Sequence, residues 1–425
     1  MRSKLTLTPP QSRDQVDSLI EAKNSTTRTK PARTLRHCMV VQNYYPFAEV
    51  RVKREAEALV EKGHSVDIIC RLHGSEPRRE IIGGINVYRL ALGEKKWGLV
   101  SQFFDYLAFA FLAFLQVTRL HIRNRYDVVQ AHNLPDFLVF SAIVPRLTGS
   151  RIILDIHDLM PEFFCSRYHA SLTSLPARIV RFQEFLSCRF AHRVITVTDL
   201  WKETLVRRGL AEEKCVVVMN LADPAYFERP SSTNSQLTTT NVNFRLIYHG
   251  TIAHRYGVDL LLRALHLLKN EVPNISLRIH GRGDFLDTVR AIIAELDLGN
   301  HVELTTDFLS ASALSELIRS FDVGIVPYRR DVFTDGILPT KLLEYVALGV
   351  PAVVAKTEVI SHYFDGNDVE FFEAENIADL AAHISRLYRE SARRRQLVEN
   401  SERFNSVFNW PRQKDAYVRF VEGMF

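Results

Sequence analysis

Three segments in the second half of the sequence carry residue types that can hold an anion. The run Tyr248-His-Gly-Thr-Ile-Ala-His-Arg-Tyr-Gly257 ends an apolar strand pattern at Gly250 and opens a helical one near Gly257. Unpaired N–H groups and the positive dipole end at such a turn favour a negative ligand. Gly250 and Thr251 put backbone there, and Arg255 adds a planar donor fork suited to phosphate. The same letters also describe an ordinary strand–helix turn with an exposed arginine. His280-Gly-Arg-Gly-Asp284 follows another strand. Gly281 and Gly283 let backbone approach a bulky ligand closely, or simply make a turn. The third segment is Asp335-Gly-Ile-Leu-Pro-Thr-Lys-Leu-Leu-Glu344. Pro339 and Thr340 suit a helix start, which sets Lys341 and Glu344 one turn apart on one face. Amides at Gly336, Ile337 and Leu338 can hold a diphosphate. Glu344 can accept hydrogen bonds from a ribose diol. Lys341 can neutralise charge on a departing phosphate. Alone, Lys341 and Glu344 would describe a surface ion pair. With two more anion turns at neighbouring strand ends, a nucleotide site is the better reading.

The first half supplies a second set. In Arg151-Ile-Ile-Leu-Asp-Ile-His-Asp-Leu-Met-Pro-Glu-Phe-Phe164, His157 ends an apolar strand and two carboxylates follow. A histidine at a strand end is either functional or a satisfied polar group. Asp158 and Glu162 can bind acceptor hydroxyls, and Asp158 equally suits a helix N-cap. His132 and Asn133 end the preceding strand and can line the same cleft. In the loop 46–51, Glu49 and Arg51 can touch acceptor or phosphate or simply be exposed loop charges, and the second is the better reading for Glu49.

These residues need a scaffold, and the apolar pattern provides one. Short β-branched runs predict strands over 36–41, 64–70, 85–90, 127–132, 151–157, 193–198 and 215–220 in the first half. In the second half they fall at 244–250, 275–281, 301–304, 323–328, 351–355 and 369–372. Helical periods lie between most of them, as at 50–61, 258–268 and 311–320. Continuous apolar strands alternating with helices mean parallel, doubly wound sheets. The expected class is α/β, with two Rossmann-like domains facing a cleft and ligands outside the carboxyl ends of the strands. The expected division is a solvated leader at 1–34, a Rossmann-like domain at 35–227 and a Ser/Thr/Asn-rich linker at 228–243. A second Rossmann-like domain follows at 244–407, and a helix at 408–425 crosses back to the first domain.

Composition sets the limits. The 425 residues are 46% hydrophobic and 24% charged, with a net charge of +5. That is ordinary globular composition, which excludes a disordered, collagen-like or multi-span membrane protein. So small a positive balance does not describe a nucleic-acid binder. Five dispersed cysteines without a C-x-x-C give neither a zinc site nor a disulfide framework, and a reducing cytoplasm is the simplest compartment. No apolar core follows Arg2 and Lys4, so the leader does not read as a secretory signal. The stretch 98–118 has Asp105 as its only charge. Its uninterrupted apolar core, 106–115, is short for a span. It reads as a core helix or as a helix lying on a membrane surface.

The run from Ile247 to Ala355 resembles the donor-binding domain of retaining glycosyltransferases of family 4, the "glycosyltransferases group 1" family with the GT-B fold. The matching pieces are HGTIAHRYGVDLLLRAL, IHGRGDF, FDVGIVPY and ILPTKLLEYVALGVPAVV. The opening 40–70, with its Gly-His pair, resembles the family's first motif. The resemblance implies sugar transfer, with retention, from a nucleotide diphosphate sugar to a glycan or polyprenyl-linked sugar hydroxyl. It puts Glu344 on the second glutamate of the E-x7-E motif, which holds the ribose, and His157 on the histidine that contacts the donor sugar. The first glutamate falls at Gly336, which shifts sugar recognition to backbone amides or to Asp335. The family's diphosphate-gripping Arg and Lys fall near Thr251 and Tyr256, so Arg255 and Lys341 stand in for them. Relatives that use lipid-linked acceptors work at the inner membrane face, which makes a membrane surface a candidate partner. The nucleotide sugar is a co-substrate and no cofactor is expected. The sequence has no Asp-x-Asp, which favours a metal-independent site. A sugar-nucleotide epimerase of the same architecture, and a non-catalytic nucleotide-sugar or lipid-binding scaffold, remain alternatives.

Overall fold

Apolar runs in the first domain fold into a parallel sheet because both faces are covered by helices. In a computed structural model, the structure describes residues 33–93, 98–229, 243–272 and 274–425. The expected leader and linker lie largely outside these residues. The strands are β1 (Arg36–Val41), β2 (Ser65–Arg71), β3 (Arg79–Ile82), β4 (Ile85–Leu90), β5 (Val128–His132), β6 (Arg151–Ile156), β7 (Arg193–Thr196) and β8 (Cys215–Val217). They form an eight-stranded sheet in the order β3-β4-β2-β1-β5-β6-β7-β8. All pairs are parallel except β3 with β4. Alternation along β1 divides the core: Cys38 and Val40 join one cluster, Met39 and Val41 the other.

The second domain contains β9 (Phe244–His249), β10 (Ile275–His280), β11 (Val302–Thr305), β12 (Val323–Val326), β13 (Ala352–Ala355) and β14 (Glu370–Phe372). Its six strands are ordered β11-β10-β9-β12-β13-β14 and all are parallel. The chain winds outward from β9 on one side and from β12 on the other. The crevice between these two strands is the switch point where such sheets bind ligands.

Two connections tie the domains together. The last helix, Trp410–Glu422, returns to the first domain and buries Tyr417, Val418 and Val421 in its core. Tyr417 Oη donates to Gln130 Oε1 at 2.8 Å, and Lys414 reaches Glu61 at 2.7 Å. The loop after β12 inserts Phe333 into the first domain's core beside Trp201 and Phe163. Full burial of such a ring stabilises the contact by about 1.5–3 kcal/mol.

Candidate active site

A cavity of about 460 Å³ opens at the carboxyl ends of both sheets. The first domain contributes His157, Asp158, Thr198 and Asn220 to its wall, and the second His249, Gly250, Thr251, Tyr328, Lys341 and Glu344. Ile337 and Leu338 complete one side. Of the expected site residues, His157, Asp158, Gly250, Thr251, Ile337, Leu338, Lys341 and Glu344 are brought together here.

Lys341 stands one residue into the helix Thr340–Leu348 and is buried. Its Nζ donates to Tyr328 Oη at 3.0 Å and lies 4.7–5.1 Å from the ring centroids of Tyr248, Tyr328 and Tyr256. Such a cage holds a cation by the ring quadrupoles. Burial, partly offset by Glu344, lowers the ammonium from its ordinary value to about 7. Glu344 is raised to about 8 by burial, against the pull of Lys341 and Arg54. Its Oε2 lies 3.2 Å from His249 Nε2, yet neither atom has a well-aligned hydrogen-bond partner. Burial, with Lys341 and His280, holds His249 well below the usual imidazole range. Two unsatisfied polar atoms beside a poorly solvated cation are what a polar, anionic ligand would complete.

On the opposite wall, β6 delivers Asp155 into the interior and His157 into the cavity. Asp155 is fully buried and is ringed by Arg51, His132, His157 and Gln130, whose Nε2 donates to Oδ2 at 3.4 Å. Arg51 reaches its two oxygens at 2.9 and 3.1 Å, His132 Nδ1 lies at 3.0 Å and His157 Nε2 at 3.2 Å. Burial pulls His157 down, but the charge and hydrogen bond of Asp155 outweigh it, so the imidazole ends above its ordinary value. With Nε2 engaged by Asp155, Nδ1 is the nitrogen that can meet a ligand. Asn133 Oδ1 accepts from the His157 amide at 2.8 Å and fixes the turn. Burial raises Asp158 to about 6 against His157 and Arg255. His132, Asp155 and His157 are metal-ligating types in one cluster. The Arg51 guanidinium already occupies both oxygens of Asp155, which leaves a metal cation poorly matched there.

Several expectations are corrected. Arg51 does not reach an acceptor, because Asp155, Glu55 and the Val218 carbonyl consume its buried guanidinium. Glu162 is buried against Arg208, which also binds Glu184. Arg255 does not line the cavity; it lies over the rings of Phe163, Tyr256 and Phe333. Gly281 and Gly283 serve chain packing, since a Cβ on them would stand 1.8 Å from Gly250 O and 1.9 Å from Ile252 O. Gly336 also leaves the wall. Its carbonyl accepts from Thr198 Oγ1 at 3.1 Å, and a Cβ there would lie 2.0 Å from Trp201 Nε1. The Gly336 and Ile337 amides both go to Phe333 O, so neither is free to hold a diphosphate. Asp335 is spent on Arg330 and on the Glu358 amide. His132 and Asn133 back the cavity rather than line it.

Sequence reasoning missed Asp155, His249, Tyr328 and Trp201 as site-forming residues. An aspartate inside the apolar run Ile-Ile-Leu-Asp-Ile was a visible signal, because a buried carboxylate requires a partner. The tyrosine cage and the Trp201 contact had no local signal.

Two Rossmann-like domains closing on one cavity at their strand ends form the GT-B architecture. Comparison with known proteins agrees. Residues 48–220 match the model of the glycosyl transferase 4-like domain, and residues 235–404 match that of glycosyl transferases group 1. An uncharacterized glycosyltransferase of Methanocaldococcus jannaschii is 26% identical over 336 residues, covering 75% of this chain and 79% of its own length. Sucrose-phosphate synthase from Thermosynechococcus elongatus superposes with a TM-score of 0.73 at 17% identity, over 92% of this chain and 99% of that one. Anabaena HepE in complex with UDP-glucose gives a TM-score of 0.68 at 16% identity, over 92% and 100%. The chain belongs to the group 1, family-4-type glycosyltransferases.

Proposed function

We propose that the protein transfers a sugar from a nucleoside diphosphate sugar to a hydroxyl of a glycan or lipid-linked sugar, with retained anomeric configuration. The observation that carries this reading is the shared cavity. A caged lysine and an underpartnered glutamate face a histidine made more basic by Asp155 and a second carboxyl group across it. The nucleotide's ribose meets Glu344, and its diphosphate meets Lys341 and the amides that open the helix Thr340–Leu348. The sugar then reaches His157 and Asp158. The acceptor oxygen bonds to the anomeric carbon as the bond to the phosphate oxygen breaks, both on one face. The acceptor proton passes to the departing diphosphate. Lys341, the helix dipole and His157 meet the charge that develops, so the reading requires no divalent ion. HepE bound to UDP-glucose lends support to a donor of this class. The five cysteines are free and buried, which suits a cytoplasmic reaction feeding polysaccharide assembly.

Calorimetric titration with nucleoside diphosphates tests the donor half. Saturable binding of at least one of them is expected, and heat no different from dilution for all of them would refute the reading.

A further inference from the structure

The helix Leu175–Phe190 is turned inside out. Its buried residues include Ala177, Glu184, Ser187 and Cys188, whereas Leu175, Ile179, Phe182 and Leu186 form an exposed stripe. Ile179 is 60% exposed and Phe182 62%. The helix Leu99–Asn124 is apolar on two opposite faces. Phe109, Ala113 and Val117 are fully buried against the sheet, and Phe103, Leu107, Phe111 and Leu115 repeat every fourth residue on the opposite side. That helix is long and apolar enough to cross a membrane by length and composition. Its packed inner face instead lays it along the domain. Residues 136–147 lie between the two helices and contact both, and Leu147 there is 79% exposed. A continuous apolar face of this kind on a soluble domain marks a site of contact.

The charge on this face has one sign. Asp105, Asp136 and Glu184 are the only carboxylates on these three elements, and all turn inward. Arg71 holds Asp105 at 2.7 Å, Asn133 holds Asp136 at 2.8 Å and Arg208 holds Glu184 at 2.9 Å. Arg119, Arg123, Arg178, Arg181 and Arg189 remain exposed. A basic groove of about 680 Å³ opens beside the second helix, lined by Arg178, Arg181, Arg189 and Lys214 among others. It is large enough for a phosphate headgroup.

We propose that this face docks on an anionic phospholipid surface. The aromatic and aliphatic stripe enters the headgroup boundary, and the arginines meet lipid phosphates. Asp105, near the start of the first helix, accepts from Gln42 at 2.8 Å and from Arg71, at the carboxyl ends of β1 and β2. The docked face thus begins at the carboxyl edge of the first sheet, the edge on which the cavity opens. Docking itself does not depend on the sugar-transfer reading.

Sedimentation of the full chain with vesicles of phosphatidylcholine, with and without phosphatidylglycerol, tests the proposal. The protein should pellet with the anionic vesicles and be released by salt. The double change Phe111→Glu and Phe182→Glu should weaken this binding on the order of tenfold or more, with melting and transfer to a soluble acceptor unchanged. The change Arg178→Ser with Arg181→Ser should remove the preference for anionic vesicles, and it leaves the apolar stripe intact. Wild-type protein that stays in the supernatant overturns the proposal. So does a phenylalanine variant that pellets as wild type, or light scattering that shows a dimer which those two glutamates convert to monomer.

Discussion

Gly336 lies directly under the indole of Trp201, so that a side-chain Cβ at this position would stand 2.0 Å from Nε1. The two residues belong to different domains, and Trp201 is itself 2% exposed. The contact leaves no room for the glutamate that the family resemblance places at this position. The first domain's core has taken the space that the glutamate would need.

Restoring the motif with Gly336→Glu should therefore harm the protein. Overpacking of this kind costs about 1–3 kcal/mol or more, because neither the indole nor the Phe333 loop can move independently. Thermal melting should fall, and transfer should fall with it. Adding Trp201→Ala should recover part of the loss, a non-additivity expected of residues in contact. A single Gly336→Glu variant with unchanged melting and faster transfer would contradict the packing account.

Lys341→Met separates binding from stability. The ammonium is buried without a close carboxylate, so an apolar chain of similar length should leave melting unchanged or raise it. Donor affinity should drop by about 1.5–3 kcal/mol, the range for a hydrogen bond to a charged group. Calorimetry and a melting curve on the same sample check both halves.

Donor binding should also depend on pH with a definite sign. Lys341 loses its proton near pH 7 in the free protein, and a bound diphosphate raises that value again. Below pH 7 the cation is already present. Above it, binding must take up a proton, so affinity falls as pH rises. Titration at pH 8 in buffers of different ionisation enthalpy should show net proton uptake, which Lys341→Met abolishes.

Glu344 gives a dependence of the same sign in stability. Its folded value, about 8, is above the ordinary 4.5. The folded state then holds a proton that the unfolded chain releases, so the contribution is full at low pH and declines as pH rises through this window. Glu344→Gln should flatten the decline in melting temperature between about pH 5 and 8 and weaken nucleotide binding. A variant whose melting profile tracks wild type would remove Glu344 as the titrating group.

The two members of the histidine wall should behave differently. His157→Gln should slow transfer strongly while melting changes little, because the ring is partly open to the cavity. Asp155→Asn leaves the buried Arg51 with Glu55 as its one carboxylate partner and should lower the melting temperature clearly.

The scaffold was legible because buried parallel strands leave short apolar runs, as at β1, β5 and β13. β3 was not, since Arg79-Glu-Ile-Ile82 is a polar edge that pairs only with β4. Lys341 and Glu344 could be read together because three residues along one helix fix their spacing. Arg51 was misread because its partner, Asp155, lies 104 residues away and no local pattern announces it. The same distance problem hid Trp201 behind Gly336. The amides of Gly336 and Ile337 were misread for a local reason, a turn closed on Phe333 O that side-chain types do not announce. Spacing along one helix was visible, and contacts between distant segments were not.

Mass spectrometry of a nucleotide-sugar panel, with and without a lipid-linked or glycan acceptor, tests sugar transfer most directly. The account predicts that one donor is consumed only when acceptor is present, releasing one nucleoside diphosphate for each glycosylated product. Donor conversion that proceeds equally well without acceptor, or no conversion of any donor, would contradict it.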